Sequence, residues 1–216
     1  MSESVHLETV RAGYDTLGPR FGEWGKGVVG DPWERFLDEV ADRLPDGARL
    51  LDLGCGNGAK LARIDEHLEV VGVDLSEEQL RLARVAVPGA TLVCADFEEL
   101  DFGPDRFDAV TALYSIVHVP KARHPELFRR IRSWLRPGGL FLASLSVVGG
   151  PDRTETWLGV EMFFSGWNAE TNARHVRDAG FELLVEEVIS MYEPGSECET
   201  AFLWVLAQRP LPAVVD

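Results

Sequence analysis

The run Leu50-Leu51-Asp52-Leu53-Gly54-Cys55-Gly56-Asn57-Gly58 constrains this chain more than any other segment. An apolar, strand-type stretch passes straight into a turn with glycine at alternate positions. Such glycines let the backbone approach a ligand closely and aim N–H groups at it, so the segment predicts a strand whose carboxyl end borders a binding crevice. The spacing alone leaves the ligand open, because Gly54-x-Gly56-x-x-Ala59 with Asp74 downstream also satisfies the dinucleotide fingerprint. A P-loop is excluded more firmly: Lys60 follows Ala59 rather than Gly and precedes Leu61 rather than Ser or Thr.

From position 49 short apolar runs alternate with amphipathic stretches, the signature of βαβ units and a mostly parallel sheet. Strands are expected at 49–53, 70–73, 91–95, 107–113 and 140–145, with helices at 59–67, 77–87 and 126–135. Ser76-Glu77-Glu78-Gln79 has capping-box spacing, and Arg136-Pro137-Gly138-Gly139 reads as a helix stop and a turn into the next strand. Upstream, 3–17 is weakly helical, and 18–30 is glycine-rich and reads as a mobile segment around Phe21 and Trp24. Trp33, Phe36, Leu37, Val40 and Leu44 then mark a helix that Asp31 caps, with Pro32 at its first position. The stretch 152–167 is aromatic without a clean period. A helix capped by Asn168 follows, and 181–189 and 200–208 read as an antiparallel strand pair.

Three features separate the candidate cofactors. Asp52, at the strand's end, repels a pyrophosphate but suits an ammonium group. Asp96 ends the third strand and precedes Phe97, a ring placed to lie on an adenine while the carboxylate meets its amine. No Tyr-x-x-x-Lys pair serves hydride transfer, because Tyr14, Tyr114 and Tyr192 are followed four residues on by Gly18, His118 and Ser196.

The chain resembles the class I S-adenosylmethionine-dependent methyltransferases of the small single-domain bacterial type. The resemblance rests on Leu51 to Gly58, Val71-Gly72-Val73-Asp74-Leu75-Ser76, Cys94-Ala95-Asp96-Phe97, Phe107-Asp108-Ala109-Val110 and Leu135-Arg136-Pro137-Gly138-Gly139. It implies a Rossmann-like α/β fold: a seven-stranded sheet, mostly parallel with an antiparallel last strand, helices on both faces and an N-terminal helical cap. It also implies S-adenosyl-L-methionine as cofactor. Gly54 and Gly56 would form the floor under its methionine part, Asp74 would hold the ribose, and Asp96 with Phe97 would frame the adenine. Asp52, Cys55, Gly58, Leu75 and Leu113 complete the expected cofactor set, and Tyr14 and Trp24 match the family's cap loosely.

On the acceptor side, His118 follows the fourth strand, where it is placed to take a proton, or else braces the turn before Pro120. Tyr114 divides the same way between catalysis and anchoring a strand end. Trp157, Phe163 and Trp167 are expected to wall the acceptor pocket together with Tyr114 and His118. No metal is expected, since the histidines lack zinc-motif spacing.

Composition narrows the partners. With 21 basic against 36 acidic residues, the net charge of −15 repels nucleic-acid backbones and anionic membranes. Cys55, Cys94 and Cys198 form no metal or disulfide pattern, and the N-terminus lacks signal-peptide character, so a cytoplasmic monomer or homodimer is expected. The organisation is read as one domain: a helical cap (1–46), a cofactor-binding core (47–147), an acceptor-side connection (148–168), a last helix and strand pair (169–209) and a tail (210–216). The function expected is in-line methyl transfer to an O, N or C nucleophile of a small molecule. Its rivals are protein or RNA methylation, a non-catalytic cofactor-binding module and an NAD-dependent oxidoreductase.

Overall fold

The computed structural model describes residues 3–64 and 67–212. The chain order is α1 (Glu3–Leu17), α2 (Pro19–Lys26), α3 (Trp33–Ala41), β1 (Arg49–Leu53), β2 (Glu69–Asp74), α4 (Glu77–Ala86), β3 (Thr91–Cys94) and β4 (Phe107–Leu113). After these come α5 (His124–Trp134), β5 (Leu135–Ser146), β6 (Arg153–Trp157), β7 (Val160–Phe164), α6 (Ala169–Asp178), β8 (Glu182–Tyr192) and β9 (Glu199–Gln208). Seven strands form one sheet in the order β3-β2-β1-β4-β5-β9-β8, and β6 pairs with β7 as a separate hairpin. β9 runs antiparallel to both its neighbours: to β8, as the strand-pair spacing predicts, and to β5, as the family resemblance implies.

Period-two alternation explains the layers. Leu51, Leu53, Val110, Ala112, Phe141 and Ala143 face α5 and α6, while Leu50, Ala109, Leu140 and Leu142 face α3 and α4. Both faces are covered, so the central strands carry apolar residues on both faces rather than on one. Phe36 of α3 stacks on Trp204 of β9 at 4.7 Å, tying the first sheet-covering helix to the last strand. A third, smaller core joins α1 to the β6–β7 hairpin through Val10, Leu17, Met162 and Phe163. The structural cap is therefore α1, α2 and this hairpin, while α3 belongs to the sheet layer.

Local signals account for most elements. Asn168 Oδ1 accepts from Thr171 N at 2.9 Å and starts α6. Ser76 Oγ likewise accepts from Gln79 N at 3.1 Å. The reciprocal half of the capping box does not form, because Ser76 N already donates to Asp74 Oδ1. Gln79 Nε2 instead donates to the Tyr14 and Gly18 carbonyls and ties α1 to α4.

Four expectations change. The 18–30 segment contains helix α2, since Pro19 suits its first turn and the rings of Phe21 and Trp24 stack at 5.9 Å and hold it against its glycine content. The helix expected at 59–67 shrinks to one 3-10 turn, Leu61–Arg63, as Asn57 Oδ1 accepts from Ala59 N and tightens the chain; positions 65–66 lie outside the described residues. Arg136 to Gly139 form an irregularity within a longer β5, where the register with β4 shifts between Phe107 and Ala109. The aperiodic 152–167 stretch is the β6–β7 hairpin. Positions 1–2 and, of the expected tail, 213–216 also lie outside the described residues. No described helix is long and apolar enough to cross a membrane.

Candidate active site

The carboxyl ends of β1, β2, β3 and β4 open into one cleft with about 920 Å³ of empty space, part of it continuous with solvent. Parallel strands bring these ends together at the edge of the sheet, where open α/β folds bind ligands. Asp52, Gly54, Cys55 and Gly56 come from the first strand and its turn, Asp74 and Leu75 from the second, and Asp96 and Phe97 from the third. Leu113, Tyr114 and His118 follow the fourth, and Tyr14 closes over them from α1.

The turn after β1 depends on its glycines. Gly54 sits at φ 78°, and a Cβ there would lie 2.4 Å from the Ser115 Cβ. Gly58 does not line the cleft; it lets α4 approach, since a Cβ would meet Ala83 and Val87 at 3.1 Å. Because only a 3-10 turn follows, the glycine loop does not open the long helix whose N-terminus carries a dinucleotide's pyrophosphate.

Acids ring the floor. Asp52 is buried, accepts from Thr111 Oγ1 at 2.6 Å and has its pKa pushed up to about 6 by burial, against the Thr111 hydrogen bond and the Lys60 field. Asp74 accepts from Gly56 N and Ser76 N, both at 2.8 Å, so it holds the glycine turn to the start of α4 and still keeps lone pairs for a ligand. Burial raises its pKa, and those two amides oppose the shift. Asp96 accepts from Glu98 N at 2.9 Å through Oδ1, while its Oδ2 is buried without a partner. A carboxylate oxygen left bare beside the Phe97 ring fits a donor such as an exocyclic amine. The Cys55 thiol is raised by burial and stays protonated.

His118 is fixed through both ring nitrogens. Nδ1 lies 2.7 Å from the Phe163 carbonyl, which can only accept, so Nδ1 carries the proton. Nε2 is then the acceptor for the Tyr14 hydroxyl at 2.9 Å. Burial lowers the imidazole pKa to about 4, keeping it neutral at pH 7. Burial and the Asp74 charge raise the Tyr14 pKa.

Tyr114 lines the cleft in the left-handed region at φ 61°, held by Ser144 Oγ on its amide and by donation of its phenol to Asp31 Oδ1 at 2.5 Å. Burial and Asp31 raise its pKa, and its hydroxyl proton is committed to the Asp31 carboxylate, whereas Tyr14 faces a neutral imidazole nitrogen. Phe163 does not line the cleft; it reaches the site through its carbonyl, its ring packing on His6. Trp157 and Trp24 pack edge to face at 5.1 Å and roof Phe21 and Tyr14 instead of walling the cleft. Trp167 lies apart: its indole donates to the Lys121 carbonyl and packs against His175, so the acceptor-wall expectation fails for it. The sequence reading missed Phe21 of α2, whose ring meets that of Tyr14 of α1 edge to face at 5.1 Å, and Lys60, which lines the cleft two residues past Gly58. Among the described residues, no group of three His, Cys, Asp or Glu could hold a metal.

Residues 50–139 match the methyltransferase-domain family. The chain is 31% identical over 220 residues to 27-O-demethylrifamycin SV methyltransferase of Amycolatopsis mediterranei, covering 88% of this chain and 79% of that one. It is 32% identical over 136 residues to the dTDP-3-amino-3,4,6-trideoxy-alpha-D-glucopyranose N,N-dimethyltransferase of Streptomyces venezuelae, covering 61% of this chain and only 52% of that relative. In fold it is similar to 1,6-didemethyltoxoflavin-N1-methyltransferase of Burkholderia thailandensis, solved with S-adenosylhomocysteine, at TM-score 0.72 and 21% identity over 97% of this chain and 91% of that one. The fold likeness agrees with the sheet order, and the chain belongs to the class I S-adenosylmethionine-dependent methyltransferases.

Proposed function

We propose that this single-domain enzyme methylates a small-molecule acceptor, with the donor seated in the cleft between the glycine turn and Asp96. The observation that carries the placement is the bare, buried Asp96 Oδ2 on the wall of the same cleft as Asp52, Asp74 and Phe97. When bound, S-adenosylmethionine supplies an electrophilic methyl group to an in-line nucleophile. Gly54, Cys55 and Gly56 would hold its methionine part, Asp74 its ribose hydroxyls and Asp96 its adenine amine, with Phe97, Leu75 and Leu113 offering apolar surface in the same cleft.

The chain's own work is orientation, exclusion of water and handling of one proton. His118 is neutral and its tautomer is fixed, so Nε2 is the basic atom. The Tyr14 oxygen accepts the proton that leaves the acceptor, as the Tyr14 hydroxyl proton passes to Nε2. The aromatic roof of Trp24, Phe21 and Trp157 packs over Tyr14 and keeps water from the transfer. Relatives named for 27-O-demethylrifamycin SV and for a dTDP-linked amino sugar support a small acceptor, and the charge of −15 speaks against RNA.

The test is a metabolite screen with isotope-labelled methyl donor and mass spectrometry of the products. A labelled small molecule is the expected result; label found only in protein or RNA would overturn the proposal.

A further inference from the structure

Lys60 is the single lysine or arginine among the described residues lining the cleft, against the carboxylates of Asp52, Asp74, Asp96 and Glu98. Its ammonium lies 5.2 Å from the Tyr114 ring centroid and 5.9 Å from that of Trp33. Among the described residues it has no hydrogen bond and no ion pair within contact distance. Burial lowers its pKa while the Asp31 and Asp52 fields hold the charge. A desolvated ammonium has three donors to satisfy, and rings satisfy none of them as an oxygen would.

The methyl donor carries one anionic group, its carboxylate, beside a cationic ammonium and a cationic sulfonium. Adenine and ribose are neutral and have Asp96 and Asp74. One cation in an otherwise acidic cleft therefore matches one anion in an otherwise cationic ligand end. Asp52 lines the same cleft within the electrostatic reach of Lys60 and suits the ammonium. We infer that Lys60 binds the methionyl carboxylate of the donor, with Asp52 meeting the adjacent ammonium, so that the two side chains clamp the amino-acid end. This rests on the placement of the donor in the cleft.

Calorimetry separates the two claims. The ligands are S-adenosylhomocysteine and its decarboxylated analogue, which keeps the amine; the proteins are the wild-type chain, Lys60→Gln and Lys60→Arg. The wild type is expected to favour S-adenosylhomocysteine by about 10- to 150-fold, the range of a charge-assisted hydrogen bond. Lys60→Gln loses that preference while its affinity for the analogue stays within about twofold, and Lys60→Arg keeps most of it. If the amide is not tolerated, Lys60→Met, which keeps the buried stem, gives the same reading. A Gln or Met variant that retains the preference, or that weakens both ligands alike, overturns the assignment. A folded wild type that binds neither ligand overturns the placement of the donor itself.

Discussion

The Tyr14 hydroxyl lies 2.9 Å from His118 Nε2 across 104 residues of sequence, which makes the N-terminal helix part of the cleft at the carboxyl end of β4. The Phe163 carbonyl on the other ring nitrogen fixes the tautomer, so the hairpin, the cap and the sheet meet at one imidazole. Gln79 reinforces the arrangement by holding the carboxyl end of α1 through the Tyr14 and Gly18 carbonyls.

Removing either member of this pair should slow transfer without emptying the cofactor site. Tyr14→Phe keeps the ring on Phe21 but leaves Nε2 without its donor, and His118→Ala removes the base. Each is expected to lower kcat by about 10²-fold, with S-adenosylhomocysteine affinity within about threefold of wild type. The double variant should be little worse than either single one. Kinetics on the acceptor found by the screen check this, and a folded His118→Ala with wild-type kcat removes His118 from the mechanism.

Asp74→Ala is expected to weaken S-adenosylhomocysteine by about 10- to 150-fold, from the loss of charged hydrogen bonds. It should also lower Tm, because the Gly56 and Ser76 amides lose their acceptor. Asp74→Asn keeps one acceptor oxygen and should be milder on both counts. Calorimetry on folded protein decides; unchanged affinity in Asp74→Ala contradicts the ribose role.

Asp52 and His118 should give opposite pH dependences of stability. His118 has its folded pKa depressed from 6.5 to about 4, so its contribution is present above pH 6.5 and is lost as pH falls through 4, by about 3 kcal/mol. Asp52 is raised from 3.8 to about 6, so its contribution is present below 3.8 and is lost as pH rises through 6, again by about 3 kcal/mol. Urea unfolding between pH 4 and 7 should show wild type losing stability relative to His118→Asn, and gaining it relative to Asp52→Asn, as the pH is lowered.

Activity should survive EDTA in full, because the proposed proton transfer uses Tyr14 and His118 alone. Loss of turnover with rescue by a divalent ion would contradict that route.

The half of the cleft proposed for the donor was legible as a cluster because strand ends carry it. In Asp52-x-Gly54-x-Gly56, Asp74 and Asp96-Phe97, each residue sits where an apolar run stops, and parallel pairing then gathers those stops at one edge of the sheet. The acceptor side was not, because its contacts are tertiary. No spacing signals that Tyr14 meets His118, or that Phe163 acts through its carbonyl. Trp167 reads like its aromatic neighbours but lies beyond β7, where it packs on α6. The glycine-rich 18–30 stretch also misleads: local propensity opposes a helix there, and packing of Phe21 and Trp24 against Trp157 outweighs it.

The most direct measurement is a crystal structure of the chain with S-adenosylhomocysteine. The expected result is the nucleoside in the β1–β4 cleft, its ribose on Asp74 and its adenine amine donating to the Asp96 Oδ2 that otherwise has no partner. Ligand density outside this cleft, or inside it with Asp74 and Asp96 both untouched, would contradict the placement of the methyl donor on which the proposed mechanism stands.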